Sequence, residues 1–217
     1  IECNKFRYID RRLAEDEPVR ILTIGRLTEK KGICYAIEAV ARVIASGRNV
    51  SFTIVGEGAL RNDLQRLCDE LGVSKFVKLI GWRRHNEVVN LIEASHLLLA
   101  PSVTGADGDE EGIPNSVKEA MATGMPTVCT NHGGIPELIE HGVSGYMVPE
   151  RDVEAMADRL LYLIDHPQTW AVIGRAARTR VFAEFDTEKI NDALEQLYNA
   201  LITKPIDANA INTVCKA

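Results

Sequence analysis

The sequence has no paired cysteines. Its five, Cys3, Cys34, Cys68, Cys129 and Cys215, are scattered and never fall in a C-x-x-C arrangement. That excludes a disulfide framework and a zinc site of ordinary ligand spacing, and a reduced, cytoplasmic setting is the expectation. No apolar run is long enough to cross a bilayer, and no secretory signal is readable. Positive charge is also in deficit: 25 Lys and Arg stand against 31 Asp and Glu, a net charge of −6. A general nucleic-acid binder is excluded, because such binding neutralises phosphates with Lys and Arg. Any phosphate site must be a local cluster. There is no internal repeat, no low-complexity tract and no Ser- or Pro-rich linker in the middle of the 217 residues, which points to one main domain. The first residue is Ile1 rather than Met, so a preceding portion of chain is expected.

What is present is a regular alternation. Short apolar runs at 20–24, 50–55, 76–80, 96–100, 126–130 and 145–148 each end at Gly, Pro or a polar turn. Segments with helical apolar spacing separate them, at 33–45, 60–71, 86–94, after Pro114, and at 136–140. Six such runs alternating with helices predict an α/β, Rossmann-like doubly wound sheet of about six parallel strands with helices on both faces. Beyond Pro149 the pattern is helical only, over 153–164, 168–184 and 187–201, followed by a polar tail from Ile202 expected to be irregular. The division expected is an interdomain linker at 1–19, a Rossmann-like domain at 20–185, and a C-terminal helix and tail at 186–217.

Ligands of such sheets bind beyond the carboxyl ends of the strands, so the loops there carry the functional argument. After the first strand, Gly25 permits a tight exit, Arg26 offers a bidentate grip on phosphate oxygens, and Lys31 adds a compact charge. After the fourth comes Glu111-Gly112-Ile113-Pro114-Asn115-Ser116-Val117-Lys118-Glu119. Pro114 is expected in the first helical turn, with Glu111 in the preceding loop and Glu119 inside the helix. The free amides of Asn115 and Ser116 make an anion site between the two carboxylates. A carboxylate, an anion hole and a second carboxylate suit a nucleotide-sugar; two glutamates at this spacing also occur as plain helix-dipole partners. After the fifth strand, Gly133 and Gly134 allow close backbone approach, and His132 beside them is a candidate phosphate or sugar contact. Gly56-x-Gly58 lacks the third glycine of a dinucleotide fingerprint and reads as a turn. Trp170 reads as packing, and the acidic run 107–111 as a mobile lid without calcium-loop spacing.

Taken in order, these loops resemble the C-terminal, donor-binding half of GT-B-fold retaining glycosyltransferases, the group 1 or family 4 class. The resemblance rests on Gly25-Arg26-Leu27 with Lys31-Gly32, Val55-Gly56-x-Gly58 and Gly81. It continues through Glu111-Gly112-Ile113-Pro114 with Glu119-Ala120-Met121-Ala122-x-Gly124-x-Pro126, and Gly133-Gly134-Ile135-Pro136-Glu137 with Gly142 and Gly145. It covers about residues 3–201.

The resemblance implies that Arg26 and Lys31 hold the donor diphosphate. Glu111 and Glu119 would match the two glutamates of the E-x7-E motif, the first contacting the sugar and the second the ribose. Trp82, Arg83 and Arg84 would lie where the base packs. It implies a UDP-sugar or GDP-sugar donor, no metal or other required cofactor, and a glycan or lipid-linked acceptor in bacterial polysaccharide biosynthesis. It also implies an N-terminal GT-B domain that this chain lacks. Without that domain the fragment is expected to bind nucleotide weakly and transfer nothing, and any peripheral attachment to the inner face of the membrane would run through the absent domain. A GT-B epimerase or synthase, and a stand-alone nucleotide-binding regulatory module, are the alternatives.

Overall fold

The computed structural model describes residues 1–203, so the expected irregular tail lies, apart from its first two residues, outside the described residues. Six parallel strands form one sheet: β1 (Val19–Ile24), β2 (Val50–Val55), β3 (Val77–Gly81), β4 (Leu97–Ala100), β5 (Thr127–Thr130) and β6 (Tyr146–Val148), in the order β3-β2-β1-β4-β5-β6. The register pairs Ile21 with Phe52 on one side and with Leu97 on the other. The strands were read to within one residue at each end.

The strands are apolar on successive residues because both faces are covered. Ile21, Leu97, Leu99 and Val128 join one buried cluster with helices α1 (Ile33–Ala45), α2 (Arg61–Glu70) and α6 (Val153–Asp165). Leu22, Leu98 and Cys129 point the other way and join α3 (His85–Ala94), α4 (Asn115–Ala122), α5 (Ile135–Leu138) and α7 (Trp170–Glu184). The alternation of side-chain direction along a strand produces the two cores from one run of sequence. A last helix, α8 (Thr187–Thr203), follows α7. Trp170 is buried as packing, with its indole N–H donated to Leu163 O at 2.8 Å.

Residues 1–19, expected as an interdomain linker, pack against the domain. Cys3 and Phe6 are buried in the second cluster, and a 3-10 turn covers Cys3–Lys5. Arg11 explains part of this anchorage. Its buried guanidinium donates to the carbonyls of Ile92 (3.0 Å), Ser95 (2.8 Å) and Thr123 (2.9 Å), and to Thr123 Oγ1 (2.9 Å). These carbonyls sit at the C-terminal ends of α3 and α4, where the helix dipoles favour a cation. Burial lowers the Arg11 pKa to about 10, which leaves it charged at neutral pH. Arg11→Ala is expected to destabilise the fold by roughly 3 kcal/mol, since several carbonyls lose a charged donor together. Urea denaturation measures this.

His96 is likewise internal. Its Nδ1 accepts from the Arg20 amide at 3.0 Å and its ring lies 5.2 Å from that of Trp170. Burial, helped by the nearby Arg20 charge, pushes its pKa from 6.5 down to about 4. A neutral imidazole is favoured in the fold, so the unfolded chain takes up the proton first as pH falls. This stability is present in full above pH 6.5 and is lost as pH drops toward 4, by at most roughly 3 kcal/mol. Denaturation midpoints measured across that window are expected to fall in the wild type and to change less in His96→Asn.

Candidate functional site

The strand order reverses between β1 and β4, and the loops leaving these two strands diverge to opposite faces of the sheet. A narrow cleft opens at this switch point, lined by Gly25, Lys31, Ser102, Pro114 and Ser116 among others. Lys31 ends a 3-10 turn, Glu29–Lys31, before α1. Its Nζ lies 2.6 Å from Glu111 Oε2, with both side chains largely buried. The contact is an ion pair, but its angles leave the buried Oε2 without a directed hydrogen-bond donor. Beside it, Lys30 Nζ meets Asp109 Oδ2 at 2.8 Å. The acidic segment is thus fastened to the basic loop by two ion pairs, where the sequence suggested a mobile lid.

The helix after the fourth strand begins one residue later than expected. Pro114 is the cap of α4, with φ −65° and an extended ψ of 130°, rather than a residue of the first turn. The carbonyl it offers accepts from Val117 N at 3.2 Å, so the amides of Asn115 and Ser116 precede the intrahelical ladder. Both stand at the positive end of the helix, next to the cleft. Glu119 lies within α4, mostly buried, and burial raises its pKa. Its Oε1 lies 4.0 Å from Nδ1 of the exposed His85 at the start of α3.

Arg26 is exposed and lines two further cavities. One, about 230 Å³, lies between Gly25, Gly56, Glu57, Trp82, Arg83 and Val88. The other, about 220 Å³, lies between Thr28, Lys30, Asp107 and Asp109. Trp82 is 66% exposed, a large apolar ring presented to solvent at the cavity edge. Arg84 does not line that cavity; it caps α3, where its amide donates to Glu87 Oε2 at 2.9 Å.

The three loops brace one another. Gly56, at φ 140°, lies where a Cβ would sit 1.8 Å from Gly25 O, and a Cβ on Gly58 would sit 2.4 Å from Leu27 O. Leu27 N donates to Glu57 O and Leu60 N to Leu27 O, at 2.9 and 3.1 Å. The Gly56-x-Gly58 segment is therefore the seat of the Arg26 loop as well as a turn. Gly133 does the same for the glutamate loop, since a Cβ there would fall 1.9 Å from Glu111 O.

His132 is not placed to touch a ligand. It is 3% exposed, its Nε2 accepts from Glu111 N at 2.9 Å, and its Nδ1 faces Glu150 Oε1 at 2.6 Å. Both ring nitrogens are engaged internally, so the imidazole offers no free nitrogen for the phosphate or sugar contact expected of it. Glu150, Lys30 and His85 join the neighbourhood without having been read from the sequence as site residues. For Glu150 a signal existed: it stands just past the C-terminal end of β6, the kind of position that supplied the other loops.

So the structure brings Lys31, Glu111, Gly25 and Ser116 together at the switch point, with Arg26, Trp82 and Arg83 beside them. Gly112, Ile113, Gly133 and Gly134 are backbone neighbours of the same site: a Cβ on Gly134 would fall 2.5 Å from Ile113 Cγ1.

Residues 4–180 match the family described as glycosyl transferases group 1. The chain is 42% identical to the amylovoran biosynthesis glycosyltransferase AmsK of Erwinia amylovora, over 86% of this chain and 46% of that protein. In structure it is similar to Anabaena Alr3699/HepE in complex with UDP, with a TM-score of 0.76 and 26% identity, over 84% of this chain and 49% of that one. It is also similar to the C-terminal domain of the group 1 glycosyl transferase LpcC from Francisella tularensis, with a TM-score of 0.74 and 22% identity, over 86% of this chain and 99% of that one. The chain spans about half the length of the full-length relatives it matches.

Proposed function

The chain belongs to the glycosyl transferases group 1 family, and from that premise we propose that it is the donor-binding half of a retaining hexosyltransferase. The whole enzyme would move a sugar from a nucleotide-diphospho-sugar, UDP- or GDP-linked, to a glycan or lipid-linked acceptor in polysaccharide assembly. The observation that carries this reading is the meeting of Lys31 with Glu111 at the mouth of α4, at the point where the sheet order reverses.

Transfer from a nucleoside diphosphate develops negative charge on the departing phosphate. Arg26, Lys31 and the amides of Asn115 and Ser116 are fixed donors for that charge, and fixed donors need little reorganisation as the charge grows. Glu111 Oε2, buried and without a directed donor, accepts from a sugar hydroxyl. Glu119 accepts from the ribose, the second carboxylate of the E-x7-E pattern, and the base packs in the cavity beside Trp82 and Arg83. Positive charge comes from the side chains, so the reading requires no metal or other cofactor. Glu111 is assigned as a sugar contact and not as a nucleophile.

The acceptor pocket belongs to a second, N-terminal domain outside this chain. The exposed face of α8, with Ile190, Leu194, Leu197, Tyr198 and Leu201 at helical spacing, suits packing against such a domain. The 217 residues alone would bind nucleotide weakly and transfer no sugar.

Calorimetric titration of wild type and Glu119→Ala with UDP and GDP tests the reading. The substitution is expected to weaken the bound nucleotide about tenfold, the cost of one hydrogen bond to a charged acceptor. Equal affinity for the two proteins would remove Glu119 from the ribose site.

A further inference from the structure

We propose that Glu150 and His132 act together as positioning residues that clasp both ends of the loop bearing Glu111 and so set the height of its carboxylate in the donor site. The inference rests on the donor-site reading of Glu111.

The two ends of the loop are Thr104 and Glu111, and one carboxylate reaches both. Glu150 Oε2 accepts from the Thr104 amide at 2.8 Å and Oε1 from the Thr104 hydroxyl at 3.2 Å. The same Oε1 faces His132 Nδ1 at 2.6 Å, and His132 Nε2 accepts from the Glu111 amide at 2.9 Å. A backbone N–H can only donate, so Nε2 carries the lone pair and Nδ1 the proton, which it gives to the carboxylate. Donors point toward the Glu150 carboxylate from both ends of the loop, directly from Thr104 and through the imidazole from Glu111.

Two further observations support a built device. Arg151 sits at φ 61°, a conformation unfavourable for a side chain with a Cβ, and from there its guanidinium donates to Thr104 O at 2.5 Å. Thr104 is therefore held through its amide, hydroxyl and carbonyl by two consecutive residues. Burial acts to raise the Glu150 pKa, but the Thr104 amide and His132 outweigh it and hold the carboxyl below its usual range.

Between the clasped ends, residues 105–110 are mostly exposed and their inward ties are the Lys30–Asp109 pair and local turns. Without the clasp, Glu111 would be held by Lys31, the residue that the donor phosphates would engage, and by Gly133 packed against its carbonyl. The clasp keeps Glu111 in register when Lys31 turns to phosphate.

The test uses this chain, which has its own two-sided core and the fold of a group 1 C-terminal domain crystallised alone. Wild type is compared with three variants, Glu150→Ala, His132→Asn and His132→Gln. The glutamine carbonyl can reach the Nε2 position and still accept from Glu111; the asparagine amide matches Nδ1, keeps Glu150 and loses Glu111. Hydrogen exchange over residues 104–112 reads the clasp, and the affinity for UDP-glucose relative to UDP, or GDP-mannose relative to GDP, reads the sugar contact.

Exchange is expected to rise in Glu150→Ala and His132→Asn, and the sugar-to-nucleotide ratio to fall about tenfold, while His132→Gln retains most of both. Unchanged exchange in Glu150→Ala and His132→Asn would overturn the clasp. Equal losses in the two His132 variants, following only their thermal midpoints, would reduce it to bulk stability and overturn it as well. If wild type binds no nucleotide, the donor-site reading fails, and the exchange data still decide the clasp.

Discussion

Replacing Lys31 with Ala is expected to weaken UDP or GDP binding roughly 10- to 100-fold, the range for losing a charged donor to a phosphate in a sheltered site. Lys31 is largely buried, so its charge is less screened than that of the exposed Arg26. Its stem runs over Gly25, whose Cβ position would lie 3.2 Å from Lys31 Cδ, and this directs the ammonium into the cleft. Arginine should rescue poorly, because a planar fork on the same path does not reproduce a point charge.

Glu111→Gln carries the opposite expectation for the bare nucleotide. Without the carboxylate, Lys31 loses its competing partner, so UDP or GDP binds as tightly as to wild type or more tightly. The extra affinity due to the sugar falls. Calorimetry on the two variants, with nucleotide and nucleotide-sugar, separates these effects. A drop in bare-nucleotide affinity in Glu111→Gln as deep as in Lys31→Ala would mean that the pair is a stability element.

The second large effect is expected at Gly133. Its φ is 51°, and an added Cβ would sit 1.9 Å from the Glu111 carbonyl oxygen. Gly133→Ala therefore combines left-handed strain of about 1–2 kcal/mol with a backbone overlap that forces one loop away from the other. A total near 3 kcal/mol by urea denaturation is expected, with loss of the sugar contact. Gly142→Ala is the matched control. Its φ is 79° with no atom within 4 Å of the Cβ position, so only the strain, about 1 kcal/mol, should appear. If the two substitutions cost the same, the contact with Glu111 contributes nothing.

How far the sequence revealed this arrangement depended on whether the signal was local. Strands such as 50–55 and 97–100 were legible because burial on both faces demands continuous apolar residues, a pattern visible within one strand. The cluster of Gly25, Lys31, Glu111 and Ser116 was legible because each lies in the segment between a strand and the first turn of the helix that follows it, and parallel topology gathers those segments at one edge. What was not legible depended on partners distant in sequence. His132 beside two glycines looked exposed; its burial comes from Glu150, 18 residues on, and from the amide of Glu111, 21 residues back. The packing of the first 19 residues was hidden because their charge and lack of period gave no local pattern. Arg11 is buried there because carbonyls of α3 and α4, more than 80 residues away, receive it. Gly56 and Gly58 read as a turn, since only the folded chain shows Gly25 and Leu27 pressed against them.

The central claim is that the loops after β1, β3 and β4 together bind a nucleoside diphosphate. Amide chemical shifts of the isotope-labelled chain, followed during titration to about 10 mM UDP, GDP and ADP, test it most directly, because binding of only roughly 3 kcal/mol is still detected. The account predicts saturable shifts with at least one nucleotide at Gly25, Arg26, Asn115 and Ser116, with further shifts at Trp82 and Arg83. Shifts confined to other surfaces, or none with any of the three nucleotides, would contradict it.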